Sequence, residues 1–303
     1  MSGLNIGVIG AGLMGHGIAY LLAAAGHTVR IYDPSTQWRE SLNARLESAR
    51  ALLDGDPALL GGISAHDQMA PAMKDTAFVF EAAPEKLPLK QQLFAELESL
   101  TAPDTILASN SSAIPSTRIG EKLKHRGRVI GTHFWNPPHL VPLVEVIQNE
   151  KTTDATVAKT MALLRMAGRN PVHVKKDIPG FVGNRLQHAL KREAIALIAA
   201  GVCDADTIDE VVKTGFGARM AVLGPMEQTD LVGVDLTLDI QYVLMADLDQ
   251  ATEPTPLIKN LVASGKLGMR TGEGFRKWTP QSADAVRERL RDFLAEQAKA
   301  APK

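Results

Sequence analysis

The sequence predicts an α/β protein: a doubly wound parallel sheet followed by an all-helical C-terminal domain. Three observations predict it. Short β-branched runs alternate with helical patterns through the first half of the chain, as expected of parallel strands joined by crossover helices. A cluster of glycines sits between the first such run and the first helical pattern. Beyond Asp177-Ile178-Pro179-Gly180 the strand-like runs stop and helical periodicity takes over. The 303 residues suit two domains, 1–178 and 179–303, each long enough to bury a core.

Taken in order, residues 5–9 read as a strand, 13–25 as a helix of small apolar residues, 28–32 as a strand and 37–53 as one amphipathic helix. Further strands are expected at 77–81, 105–108, 129–133 and 141–147, with helices at 87–100 and 154–167. The second domain shows helices at 181–200, 204–213, 230–248 and 282–298, with loops between. The last of these carries Val286, Leu290, Phe293 and Leu294 on one face among many charges. That pattern predicts a helix docked on its own domain, with a subunit contact as the alternative.

Composition narrows the function. With 33 basic against 34 acidic residues, the chain lacks the long-range pull on polyanions, so nucleic acid is not an expected partner. One cysteine, Cys203, excludes an internal disulfide framework and a zinc site built on several thiolates. The histidines are scattered, so no metal is expected. The N-terminus has neither a basic leading stretch nor an unbroken apolar run, and nothing resembles a membrane span. A cytoplasmic protein with no membrane partner is the expectation.

Gly10-Ala11-Gly12-Leu13-Met14-Gly15 is a G-x-G-x-x-G between a strand and a helix. Gly10 permits the tight turn, Gly12 lets the backbone approach a pyrophosphate, and Gly15 lets the helix pack on the strand. The helix N-terminus, with Ala11, Leu13 and Met14 beside the glycines, offers N–H groups to phosphates. Asp33 ends the second strand, where a carboxylate accepts from ribose hydroxyls and repels a 2′-phosphate. Together these predict a Rossmann-type domain that binds NAD. His16, inside the helix, reads as structural.

Ligands in such sheets lie beyond the carboxyl ends of the strands, and His133 sits at one. Glu145 lies within Leu143-Val144-Glu145-Val146-Ile147, a poor place for an unpaired carboxylate. If residues 135–141 form the turn of an antiparallel pair, His133 and Glu145 fall opposite one another, and the carboxylate orients the imidazole and stabilises its protonated form. A half-exposed glutamate on an edge strand is the alternative. Beside NAD, the pair suggests that His133 takes a hydroxyl proton as hydride leaves the same carbon. Ser109-Asn110-Ser111-Ser112 follows a strand at the same sheet edge, Asn136 lies three residues past His133, and Asn184 stands where it could close the cleft from the second domain. Turn and cap chemistry explains such a Ser/Asn cluster equally well.

These stretches, with Pro179-Gly180-Phe181-Val182-Gly183-Asn184-Arg185 and Thr271-Gly272-Glu273-Gly274-Phe275, resemble the 3-hydroxyacyl-CoA dehydrogenases in order and over nearly the whole length. The resemblance implies reversible, NAD-dependent oxidation of a 3-hydroxy to a 3-keto group, a homodimer made by the helical domain, and a place in fatty acid metabolism. It implies His133 and Glu145 as the catalytic pair, Ser112 and Asn184 near the substrate oxygen, and Glu85, Lys90 and Asn136 near the nicotinamide half of NAD. Arg270 stands where the family usually has a lysine near the cofactor. One departure concerns the substrate. Residues 34–61, longer and lysine-rich in acyl-CoA enzymes, here hold Arg39, Arg45 and Arg50 against Glu40, Glu47, Asp54 and Asp56, with no lysine. A CoA phosphate prefers a basic cradle. Arg45 and Arg50 could still supply one if they face the cleft. The chain is also similar to CoA-free relatives, the lambda-crystallin/L-gulonate 3-dehydrogenase branch and a pyridine-carboxylate dehydrogenase. A small hydroxy acid is therefore the alternative to an acyl-CoA. A crystallin-like structural role is the alternative of another class, and it would not require the His133/Glu145 pair.

Overall fold

The computed structural model describes residues 3–300, which form two compact units: 3–184 together with 290–300, and 185–289. The first unit is built on an eight-stranded sheet in the order β3-β2-β1-β4-β5-β6-β7-β8. Its strands are β1 (Asn5–Ile9), β2 (Thr28–Tyr32), β3 (Ile63–His66), β4 (Phe78–Glu81), β5 (Ile106–Ser109), β6 (Val129–Phe134), β7 (Leu143–Ile147) and β8 (Asn170–Val174). All neighbours pair in parallel except β6 and β7. The order reverses between β1 and β4, which opens a crevice at the carboxyl ends of those strands.

The two-residue period of the strands divides the core. Ile6, Val8, Phe78, Phe80, Ile106 and Ala108 point to one face. There they meet α1 (Gly15–Ala24), α3 (Leu42–Leu52) and α7 (Asp154–Met166) through Ile18, Leu22, Leu46 and Leu163. Ile9, Val79 and Leu107 point to the other. There α4 (Met69–Met73), α5 (Leu87–Leu100) and α6 (Ser116–Ile119) supply Met73, Phe94, Leu97 and Ile119. Helices on both faces of a mostly parallel sheet are the predicted fold class.

Several elements differ from expectation. The helix expected at 37–53 is two, α2 (Thr36–Glu40) and α3, meeting at Ser41. The Ser41 hydroxyl donates back to the carbonyls of Gln37 and Trp38, an alternative to the helical ladder. Strands β3 and β8, which the sequence did not suggest, are the two edges of the sheet. Their polar, half-exposed residues, and Pro171 in β8, blunt the strand pattern, and proline is tolerated at an edge.

The second unit continues α8 (Gly183–Ala199) and holds α9 (Ala205–Thr214), α10 (Pro225–Val232), α11 (Val234–Leu244), α12 (Pro256–Ala263) and the start of α13 (Pro280–Ala300). The helix expected at 230–248 is broken at Gly233, whose φ of 102° a helix cannot hold, and α12 occupies an expected loop. Leu290 and Phe293 of α13 are 56 % and 57 % exposed, whereas Ala283 and Ala295 are buried. The predicted docking face is therefore wrong at two of its four positions. The last turns of α13 also belong to the first unit, not to the helical domain. Among the described residues 185–289, Ala283 is the only buried side chain.

Candidate active site

The glycine loop joins β1 to α1, and each glycine has its own reason. Gly10 holds φ at +96°, and a Cβ there would meet the Ala82 carbonyl oxygen at 2.8 Å. A Cβ on Gly15 would lie 1.7 Å from the Gly10 carbonyl oxygen, so only glycine brings the helix this close. A Cβ on Gly12 would meet nothing within 4 Å. The protein itself does not require glycine there; a ligand approaching the backbone does. No side chain caps α1, which leaves its first N–H groups for an anion. The loop therefore fits a dinucleotide, with Gly10, Ala11, Gly12, Leu13, Met14 and Gly15 around the pyrophosphate.

Neighbouring side chains brace this loop. Asp33 is buried at the end of β2; its carboxylate accepts from the Ala11 N–H at 2.7 Å and the Ser35 N–H at 2.8 Å. His16 Nδ1 bonds to the Gly12 carbonyl at 2.9 Å, the structural part expected of it. Arg45 donates to the carbonyls of Ala11, Gly12 and Trp38 and stacks on the Trp38 ring. Arg50 is held by Glu47 and the Gly55 carbonyl. Both guanidinium groups are thus engaged within the fold rather than free toward a cleft.

Strands β6 and β7 pair in the anticipated register, His133 opposite Glu145. Both side chains are buried, and His133 Nδ1 lies 2.8 Å from Glu145 Oε2. The other carboxylate oxygen accepts from the Val182 and Gly183 N–H groups, at 2.9 and 3.0 Å, at the start of α8. Burial alone would raise the Glu145 carboxyl, but the His133 bond and those two N–H donors outweigh it and hold it below the usual range. An ionised Glu145 accepting at Nδ1 fixes the tautomer with Nε2 free to take a proton. The imidazole sits between the rings of Trp135 and Phe181, at centroid distances of 5.5 and 5.6 Å.

At the ends of β4 and β5 the structure separates turn chemistry from candidate site chemistry. Ser109 donates to Glu81, Asn110 accepts from the Phe134 N–H, and Ser111 donates to Glu85. Ser112 is exposed, and its carbonyl accepts from the Asn184 side chain at 3.0 Å. Asn184 therefore meets Ser112 from within the first unit, not from the second domain. Glu85 also accepts from the N–H groups of Ser112, Ala113 and Ile114. Burial opposes its ionisation, but the Ser111 hydroxyl, the Lys90 charge and those N–H groups keep it below the usual range. Lys90 is buried, its ammonium 2.6 Å from Glu81 Oε1 and 3.5 Å from Glu85 Oε2. Asn136 is exposed beyond the end of β6, and Arg270 lies in the second unit.

Sequence reasoning missed Glu81 and Asn110. Glu81 is a fully buried carboxylate beneath this cluster, and it neutralises Lys90. Its signal was present: a carboxylate ending the apolar run Phe78-Val79-Phe80, as anomalous as Glu145.

Such an arrangement defines a dinucleotide-dependent dehydrogenase of alcohols. Residues 5–178 match the NAD binding domain of 3-hydroxyacyl-CoA dehydrogenase and residues 180–278 match its C-terminal domain. The chain belongs to that family, and it is an NAD-dependent dehydrogenase acting on CH–OH groups. It is 37 % identical to 5-formyl-3-hydroxy-2-methylpyridine 4-carboxylate 5-dehydrogenase of Mesorhizobium japonicum, over 96 % of each chain. It is 38 % identical to a probable 3-hydroxybutyryl-CoA dehydrogenase of Bacillus subtilis, over 89 % of this chain and 96 % of the other. Among solved structures it is similar to a 5-formyl-3-hydroxy-2-methylpyridine 4-carboxylic acid 5-dehydrogenase described as an NAD⁺-dependent dismutase. That match has a TM-score of 0.93 and 34 % identity, covering 99 % of this chain and all of the other. The (S)-3-hydroxybutyryl-CoA dehydrogenase of Ralstonia eutropha matches with a TM-score of 0.76 and 31 % identity, over 92 % of this chain and all of the other.

Proposed function

We propose that the enzyme oxidises a small hydroxy acid that carries no CoA, with His133 as general base and Glu145 as its anionic partner. Bound at the glycine loop, NAD supplies the hydride acceptor. Nε2 of His133 takes the hydroxyl proton, and Glu145 balances the charge that the ring gains. Ser112 and Asn184 hold the substrate oxygen, Glu85, Lys90 and Asn136 border the nicotinamide half, and Arg270 is the cofactor contact from the helical domain. Residues 1–178 serve NAD, and 179–303 serve substrate and dimerisation.

The observation that carries the choice of substrate is the engagement of Arg45 and Arg50 within the fold. Residues 34–61 then offer no free cation to a CoA phosphate, and remote binding energy that an acyl-CoA enzyme draws on is absent. The TM-score of 0.93 against the pyridine-carboxylate enzyme and 0.76 against the butyryl-CoA enzyme favours the same side. A 3-hydroxyacyl-CoA is the second reading, favoured by the 38 % identity to the Bacillus subtilis relative. The test compares kcat/KM for 3-hydroxybutyrate, 3-hydroxybutyryl-CoA and a hydroxymethyl- or formyl-pyridine carboxylate. CoA should add no more than about tenfold, worth about 1.4 kcal/mol. A CoA preference of about a thousandfold, about 4 kcal/mol, would restore the acyl-CoA reading.

A homodimer belongs to the same proposal. It is supported by the near-absence of buried side chains in 185–289, because a helical domain cannot be stable without a covered apolar face. A cytoplasmic location completes the reading; among the described residues no helix is long and apolar enough to cross a membrane.

A further inference from the structure

Helix α11 is apolar nearly all round. Leu236, Leu238, Ile240, Tyr242, Val243 and Leu244 lie on it, from 46 % to 77 % exposed. A helix hydrophobic on every side belongs in an interior. The same stretch is one-sided in charge: residues 220–258 contain no lysine or arginine, while Glu227 and Asp230 of α10 and Asp235 and Asp239 of α11 are acidic and exposed.

Its complement lies elsewhere in the same unit. A cavity of about 650 Å³ runs between α8, α9, α12 and the segment 266–278. Its floor is apolar, with Ile195, Ile198, Ile208, Ile258, Leu261 and Phe275. Lys191, Lys266, Arg270 and Arg276 stand around it, with Asp209 the one carboxylate among the described lining residues. Lys266 and Arg276 are paired, with Glu273 and with Asp206 and Asp209. Lys191 and Arg270 are exposed and make no ion pair with the described residues.

We propose that this groove receives the α10–α11 segment of a second copy of the chain, and that the second copy's groove receives this one's. The inference rests on the homodimer proposed above and names the surfaces that form it. Apolar floor meets apolar helix, and the cationic rim meets the acidic residues that flank them. The exchange is reciprocal, as a two-fold interface requires. The charges fix which segment enters the groove, because like charges placed together there cost several kcal/mol.

Two charge reversals test it by sedimentation. One variant carries Asp235→Lys and Asp239→Lys, the other Lys191→Glu and Arg270→Glu. Each alone should raise the dimer dissociation constant by at least about tenfold. An equimolar mixture should regain the dimer, because in a mixed pair both grooves meet a segment of opposite sign. Far-ultraviolet circular dichroism of each variant establishes that it is folded, and the mixture reports on the interface even where one variant is destabilised. Two folded variants that dimerise like the parent overturn the groove assignment while leaving the dimer in place. Weakened variants that gain nothing on mixing also overturn it, as expected if α11 seats in the groove of its own chain. A parent that sediments as a monomer at micromolar concentration overturns both the inference and the dimer beneath it.

Discussion

Glu145 governs what His133 can do. One carboxylate oxygen is saturated by two backbone N–H groups and the other by the imidazole, so the side chain has neither freedom to rotate nor reason to protonate near neutrality. Replacing it with glutamine keeps the shape and removes the charge. The imidazolium then loses its anionic partner and surrenders its proton more readily. The acidic limb of the kcat/KM profile should move to lower pH in Glu145→Gln; a profile that overlays the parent's would refute the pairing. Asp33 answers to a different readout. Because its carboxylate also ties Ala11 to Ser35, Asp33→Ala should weaken NAD and narrow the NAD-over-NADP preference in paired kcat/KM measurements. Equal use of NADP by the parent would sink that assignment. The His133–Glu145 contact was legible because a hairpin centred near His139 sets residues 133 and 145 opposite by counting alone. Glu81 was not, because its partner Lys90 lies on α5, and no strand register links a strand end to a helix face.

At the scale of elements, the strand–glycines–helix unit was readable because each glycine obeys a local rule, and the structure now separates those rules. Gly12→Ala should leave the unliganded protein's Tm nearly unchanged, since its Cβ meets nothing, yet weaken NAD by about tenfold or more through contact with the pyrophosphate. Gly15→Ala should lower the Tm itself, because its Cβ overlaps the Gly10 carbonyl. Titration calorimetry beside a melting curve distinguishes the two; equal effects on both quantities would contradict this division of labour. Element boundaries were less legible where a single residue outvotes periodicity. Ser41 splits one amphipathic pattern and Gly233 another, and neither disturbs the spacing of the apolar residues around it. The edge strands escaped notice because their outer sides face solvent and need no apolar code.

Over the whole molecule, the sheet was legible and the helical unit much less so. Burial patterns encode a core within one chain, whereas the apolar residues between 185 and 289 mostly stay exposed in it. A sequence cannot say whether such residues meet their own chain or another. Stability against acid is a second global property. His139 is buried against His16 and near Arg169, and burial first, then those positive neighbours, lowers its pKa to about 4. The unfolded chain binds that proton from about pH 6.5 downward while the fold refuses it. The neutral ring's contribution is therefore complete above 6.5 and lost as pH falls toward 4, about 3 kcal/mol in all. Denaturant unfolding of His139→Gln should show a shallower loss of stability over that interval than the parent. Identical slopes would remove His139 from the account.

The central claim is that His133 moves the proton when hydride leaves the substrate carbon. Single-turnover NADH formation tests it most directly, with saturating NAD and the best substrate of the panel. His133→Ala should slow that step by about 10²–10⁴-fold while NAD affinity, measured separately, stays near the parent's. An unslowed step in a folded, NAD-binding His133→Ala protein would contradict the account.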